Sequence, residues 1–212
     1  MQWRNQPCPK NLGTMIPILL LLSLAVSCAA IQDIQITYQM PASTEALYGE
    51  QIFLDFQDLR ENPAVLGPGA REAYAYHSGN VELFVSSDRE KDARVGLMDI
   101  PSLFREAFER RIRALGGRVV SRRQEASAVL LLELKTFELE LEDRTWRARM
   151  AYEAELQPEE TVQARQSVAG EAERVKILGV KQADQVMSEL FTDMVNRLDL
   201  KGLFQKSRLS ER

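Results

Sequence analysis

Val129-Leu130-Leu131-Leu132-Glu133-Leu134-Lys135-Thr136-Phe137-Glu138-Leu139-Glu140-Leu141 reads as a strand that changes phase along its length. Leu132 and Leu134 share one face under strict alternation, and Phe137, Leu139 and Leu141 share the other. Such a slip predicts a bulge near Lys135-Thr136, or burial of both faces early in the strand. Beyond it, Trp146, Ala148, Met150, Tyr152, Ala154 and Leu156 alternate with Arg147, Arg149, Glu153 and Glu155. That is the pattern of a half-buried strand in an antiparallel sheet. A weaker run over 161–173 puts Val162, Ala164, Val168 and Ala172 in one phase. The connections at Glu142-Asp143-Arg144 and Gln157-Pro158-Glu159-Glu160 are short, so the three strands form a meander.

Amphipathic helices flank these strands. Asp99 to Leu115 carries Ile100, Leu103, Phe104, Ala107, Phe108, Ile112 and Leu115 on one face. Asp99 is placed to cap it, Pro101 suits its first turn, and Gly116-Gly117 ends it. Burial of five large side chains of that face is worth about 8–15 kcal/mol gross. Val180 to Leu198 is a second such helix, with Val186, Met187, Leu190, Phe191 and Met194 inside. The fold class expected is therefore α+β, an antiparallel meander sheet packed against two amphipathic helices.

The remaining elements set the boundaries. Gln51 to Phe56 is a β-rich run that opens the folded domain, and Val81 to Val85 is a second short strand. Asn62-Pro63 and Gly67-Pro68-Gly69 mark turns between them. Residues 28–48 read as a tether, in which alternating Ile34, Ile36 and Tyr38 can form a short edge strand. The domain is expected over 49–204, with Gly202 just past the last helix and a polar tail over 205–212.

The chain has 212 residues, a formal charge of −4, one His and two Cys. An acidic chain lacks the basic footprint of a nucleic-acid binder, and so few Cys and His exclude the usual zinc sites. Residues 1–27 read as an export signal: Arg4 and Lys10 precede an apolar run from Met15 to Val26, broken only by Pro17 and Ser23. The run is too short to span a bilayer, which takes roughly 20 residues. It ends in Leu24-Ala25-Val26-Ser27-Cys28, which resembles the lipobox of bacterial lipoproteins, with Ala25 where Leu is commoner. The resemblance implies cleavage between Ser27 and Cys28 and acylation of the Cys28 thiol, with palmitate-type chains as the membrane anchor. The Cys28 thiol has no disulfide partner in the mature chain, because Cys8 leaves with the signal. The mature chain has 185 residues and a charge of −6. Ala29 follows Cys28 where enteric lipoproteins kept in the inner membrane carry Asp. The expected location is the periplasmic face of the outer membrane.

No residue pattern points to catalysis, so neither an enzyme nor a cofactor is expected. His77, in Ala75-Tyr76-His77-Ser78-Gly79, is a lone His without a nucleophile motif and reads as an exposed loop residue. Glu138, Glu140 and Glu142 form a row of carboxylates, which alternation with apolar residues makes a solvated sheet face. Gly67-Pro68-Gly69 is not a phosphate loop, because no Gly-Lys-Ser/Thr follows. Arg110, Arg111, Arg113, Arg118, Arg122 and Arg123 are the one basic cluster. Arg118, Arg122 and Arg123 are candidates to contact lipid phosphates or an acidic envelope partner. The plainer account of the cluster is a helix C-terminus served by arginines, with Glu106, Glu109 and Glu125 as pairing partners.

Phe53-Leu54-Asp55-Phe56-Gln57-Asp58-Leu59-Arg60, followed by Val65-Leu66-Gly67, resembles the start of YajG-type bacterial lipoproteins. There a first strand ends in Asp-x-Arg and a Leu/Ile-Gly follows; Asp58, Arg60 and Gly67 hold those places. The likeness spans most of 50–205, with an insertion around Ala93 to Asp99, and brings no known activity with it. Leu130 to Leu134 with Phe137-Glu138, then Ala148 to Leu156, is similar to auxiliary lipoproteins of ABC-type envelope lipid-transport systems. That second likeness implies a transporter partner and an apolar sheet face left exposed in the isolated domain.

Overall fold

In a computed structural model describing residues 32–88, 91–158 and 163–209, strand β6 (Ala128–Glu142) pairs antiparallel with β7 (Thr145–Pro158) from Ala128↔Pro158 to Glu142↔Thr145. The register shifts between Leu134 and Thr136, at the expected bulge. Lys135 is the extra residue, so Leu130, Leu132, Leu134, Phe137 and Leu139 all reach the buried face. Trp146, Ala148, Met150, Tyr152, Ala154 and Leu156 line the same face from β7. Strand β8 (Ala164–Val175) continues the sheet antiparallel to β7.

The meander ends there. On the other side of β6, β2 (Gln51–Asp58) runs parallel to it, and β5 (Arg118–Val120) runs parallel to β2. The sheet order is β5-β2-β6-β7-β8, a mixed sheet rather than an antiparallel one. A second sheet of three strands has the order β1-β3-β4, formed by β1 (Ile34–Gln39), β3 (Val81–Ser86) and β4 (Ala93–Met98). Here β1 is parallel to β3, and β3 is antiparallel to β4.

The described residues hold four α-helices, not two: α1 (Pro68–Ala73), α2 (Ile100–Ala114), α3 (Lys181–Arg197) and α4 (Leu200–Leu209). The Asp99 carboxylate accepts from the Ser102 N–H at 2.8 Å and caps α2 as its sequence predicts. Both sheets and the helices contribute to one apolar core. Helix α3 packs against β1 of the small sheet and against β7 and β8 of the large one.

Two boundaries move. The compact unit begins at Gln32, not 49: Ile34, Ile36 and Tyr38 are fully buried and Leu47 is nearly so. The segment expected as a tether over 28–48 is therefore a packed strand and an anchored turn from Gln32 onward. At the other end, the tail expected over 205–212 belongs to α4 as far as it is described. Asp199 accepts from the Gly202 N–H at 2.8 Å in the first turn of that helix, so Gly202 lies inside a helix rather than past one. Leu203, Phe204 and Ser207 are buried, and Arg208 pairs with Glu50.

Candidate functional site

Ser27 and Cys28 lie outside the described residues. The other sequence-predicted positions can be followed in turn. Arg118, Arg122 and Arg123 fall at one end of the large sheet, where β2 and β6 begin. Arg118 donates to the Gln51 side chain at 3.0 Å, Arg123 to the Gln157 side chain at 3.3 Å, and Arg122 lies 3.7 Å from Glu125. Arg110 and Arg113 pair with Glu106 and Glu109, one helical turn earlier.

Arg111 differs from its neighbours. It is buried on α2, and its guanidinium donates to the main-chain carbonyls of Val195, Asn196 and Leu198 at the end of α3. Those carbonyls have no further helical turn to accept from, so one cation closes the end of a neighbouring helix. Burial draws its pKa below the ordinary arginine value. Residues 108–114 alone do not distinguish it from Arg110 or Arg113 on the exposed side of α2.

Asp58, Arg60 and Gly67 have structural work. The Arg60 guanidinium donates twice to the Asp58 carboxylate, at 2.8 and 2.7 Å, and once to the Phe137 carbonyl at 3.3 Å. Arg60 thereby braces the chain beside the β6 bulge, with its side chain only 4% exposed. It also holds the Asp58 carboxyl below the usual carboxylate range. At Gly67 a Cβ would lie 1.9 Å from the Glu140 carboxylate, so a larger residue there would push Glu140 aside. Glu140 Oε1 accepts from Gly69 N–H, Ala70 N–H and Leu141 N–H at 2.8–3.1 Å. Glu140 is thus a cap for α1, not a free carboxylate.

Its neighbours are also occupied. Glu138 pairs with Arg149, and Glu142 pairs with Arg147, which also meets Glu171 and Glu173. Arg165 pairs with Glu155, and Lys135 with Glu133. The outer face of the large sheet is a lattice of charges. The apolar exposed sheet face implied by the lipid-transport likeness is therefore not found there.

His77 is not exposed. Its side chain is 10% exposed and its Nδ1 lies 3.2 Å from Asp33 Oδ1. Burial pushes its pKa below the ordinary 6.5, with Asp33 acting in the opposite sense. Asp33 Oδ1 also accepts from Ser78 N–H at 2.9 Å and Ser78 O–H at 2.6 Å. Next to it, Asp184 Oδ1 accepts from Gln35 N–H and Tyr74 O–H, both at 3.0 Å. This polar group ties β1, the turn after α1 and the start of α3 together, beside a cleft of about 420 Å³ between Pro63 and Gly79.

The remaining polar feature is a ladder. Asp184, Ser188, Thr192 and Asn196 recur every four residues along α3 and face the free edge of β1. Gln35 N–H, Thr37 N–H and Gln39 N–H donate to the first three in turn, at 3.0, 2.9 and 3.1 Å. The Gln35, Thr37 and Gln39 carbonyls accept from Ser188, Thr192 and Asn196. A helix thus satisfies the edge of a sheet that would otherwise recruit another strand. The spacing of four beside an apolar stripe is visible in the sequence; its partner is not.

Among the described residues, no three His, Cys, Asp or Glu come together as metal ligands, and no helix is long and apolar enough to cross a membrane. No family model matches the sequence, and no curated protein matches it. The structure is similar to that of a Xanthomonas campestris protein of the DUF330 family, at 10% identity and a TM-score of 0.51, over 86% of this chain and 100% of that one. A minor lipoprotein from Acinetobacter baumannii aligns at 10% identity over 77% of this chain and 92% of its own, with a TM-score of 0.34. A lipoprotein from Neisseria meningitidis aligns at 7% identity over 70% and 99%, with a TM-score of 0.28. The likeness to the Xanthomonas protein establishes a shared α+β fold.

Proposed function

We propose that this chain is a lipid-anchored lipoprotein of the bacterial cell envelope, a non-enzymatic structural or accessory module facing the periplasm. The observation that carries the reading is Cys28, set at the end of a short apolar run behind Arg4 and Lys10. The chain divides between Ile31 and Gln32, a few residues after Cys28, which supports the reading. Ala29 after Cys28 favours the outer membrane. The accessory role draws on the way the charged side chains are used: Glu138, Glu140 and Glu142 are engaged in pairing or capping rather than converging on a cleft. Partners on this reading are the membrane, through Cys28, and other envelope proteins.

Metabolic labelling with a palmitate analogue tests it. The wild-type chain should take up label and fractionate with membranes; Cys28→Ala should lose both. Membrane fractionation unchanged in Cys28→Ala would overturn the anchoring.

A further inference from the structure

One end of the molecule gathers exposed apolar side chains from separate elements. Val175 at the end of β8 and Ile177 and Leu178 in the connection to α3 are 63%, 71% and 81% exposed. Gly179, at φ +62°, turns the chain back so that Val180 is buried and Ile177 and Leu178 stay at the tip. Tyr76, 61% exposed, lies on the turn after α1. The β6–β7 turn reaches the same end: Val175 pairs with Thr145, and Lys176 N–H donates to the Arg144 carbonyl at 2.8 Å. The turn holding Tyr76 is tied there through Tyr74, whose ring packs on Trp146 at 6.0 Å.

The charge at this end is mixed, with its glutamates paired and three basic side chains around the tip. Arg144 and Lys181 are exposed and Lys176 is half-buried over the Trp146 ring, while of the exposed acids beside them Glu142 and Glu173 pair with Arg147 and Asp143 shares the turn with Arg144. Arg144 sits at φ +64°, a conformation that costs a non-glycine residue energy at a turn tip. Basic side chains around an apolar tip suit an anionic lipid surface, with the stems in the interface and the charges at the headgroups.

The chain path brings this end to the bilayer. Asp33 is fixed by Ser78, and Gln35 by Asp184 at the start of α3, directly after the apolar loop. Five residues separate Cys28 from Asp33. A lipid on Cys28 therefore lies within about 18 Å of Asp33, by contour length alone. Arg118, Arg122 and Arg123 lie at the opposite end of the large sheet, remote from that reach.

We infer that the end bearing Val175, Ile177, Leu178, Arg144, Lys176 and Lys181 is a second membrane contact, which seats the domain on anionic headgroups beside its own anchor. This rests on acylation of Cys28. The domain then stands with the large sheet's far end toward the periplasm rather than swinging on a free tether.

The test uses full-length, signal-processed protein reconstituted in phosphatidylethanolamine–phosphatidylglycerol vesicles. A fluorophore is placed through Leu178→Cys, and in a separate chain through Tyr48→Cys, an exposed position at the opposite end. Mass spectrometry reads the acyl chains on Cys28 in both. The result expected is loss of fluorescence at 178 with nitroxide-bearing lipid, and quenching at 48 only by aqueous iodide. Ile177→Ser should restore iodide access at 178. Iodide access at 178 equal to that at 48, in acylated protein, overturns the contact and leaves the anchor standing. Protection of 178 from both quenchers, as burial against a second copy or another protein would give, also overturns it. Absence of acyl mass on Cys28 overturns the anchor and the contact together.

Discussion

Asp184 shows what a single side chain costs and supplies. Its carboxylate accepts hydrogen bonds from Gln35 N–H and Tyr74 O–H, and burial raises its pKa from 3.8 to about 6. The folded state therefore holds this proton more tightly than the unfolded chain does. Stability from this group is present below pH 3.8 and declines as pH rises through 6. Asp184→Asn keeps an oxygen acceptor for both donors and removes the buried charge. The variant should match the wild type near pH 4 and exceed it at pH 8 by about 2 kcal/mol, read from urea midpoints. A difference that does not grow between those pH values would contradict the assignment. His77 bears on the same window in the opposite sense, because its neutral form is favoured by burial; its contribution weakens as pH falls. Comparing Asp184→Asn with the wild type cancels that background.

At the scale of elements, the edge of β1 depends on side chains of α3 rather than on another strand. Ser188→Ala with Thr192→Val removes the hydroxyls that accept from Thr37 N–H and Gln39 N–H. Each lost bond is worth about 1 kcal/mol, which makes amide exchange roughly fivefold faster at those two positions. Ile36 and Tyr38 lie on the alternate phase and pair with β3, so their exchange should stay unchanged. Uniform acceleration along β1 would show that the ladder does not act bond by bond. This contact also explains what the sequence could and could not convey. Helices α2 and α3 and the β6–β7 pair were legible, because each carries a full apolar face at one period. The bulge was legible because Leu134 and Phe137 break alternation and then resume it. Strand β1 was legible as alternation, but its burial comes from a partner 149 residues away, between Gln35 and Asp184. Strand β4 was obscured because it is an edge with exposed Val95 and Leu97 and a glycine between them. Helix α4 was hidden by Gly202, whose ordinary meaning is a stop. The parallel entry of β2 beside β6 follows from a crossover path that no local pattern encodes. In the candidate site, the resemblance to a lipobox that underlies the proposed anchor rests on consecutive residues, Leu24 to Cys28. Arg111 and the apolar loop at Ile177-Leu178 acquire meaning only from what surrounds them.

The described residues form two sheets around one shared core, and the Phe191 ring is one of the places where they meet. Phe191 on α3 lies 6.0 Å from the Tyr38 ring of β1, 5.4 Å from the Phe104 ring of α2 and 6.2 Å from the Phe137 ring of β6. It is fully buried, and the shared core runs through it from the small sheet to the large one. Two sheets that share a core and a helix should unfold together rather than as separate units. Phe191→Ala leaves a cavity where the elements meet, and the cost expected is about 3–5 kcal/mol. Trp146 fluorescence reports the large sheet, and amide exchange at Ile36 reports the small one. Both probes should move to lower denaturant by the same amount in Phe191→Ala. A wild-type chain in which β1 opens well before Trp146 becomes exposed would show instead that the small sheet is held independently. The same outcome would loosen the end from which the chain leads to Cys28, since β1 begins one residue after Asp33. Cooperative unfolding thus bears directly on how rigidly the proposed anchor would hold the domain.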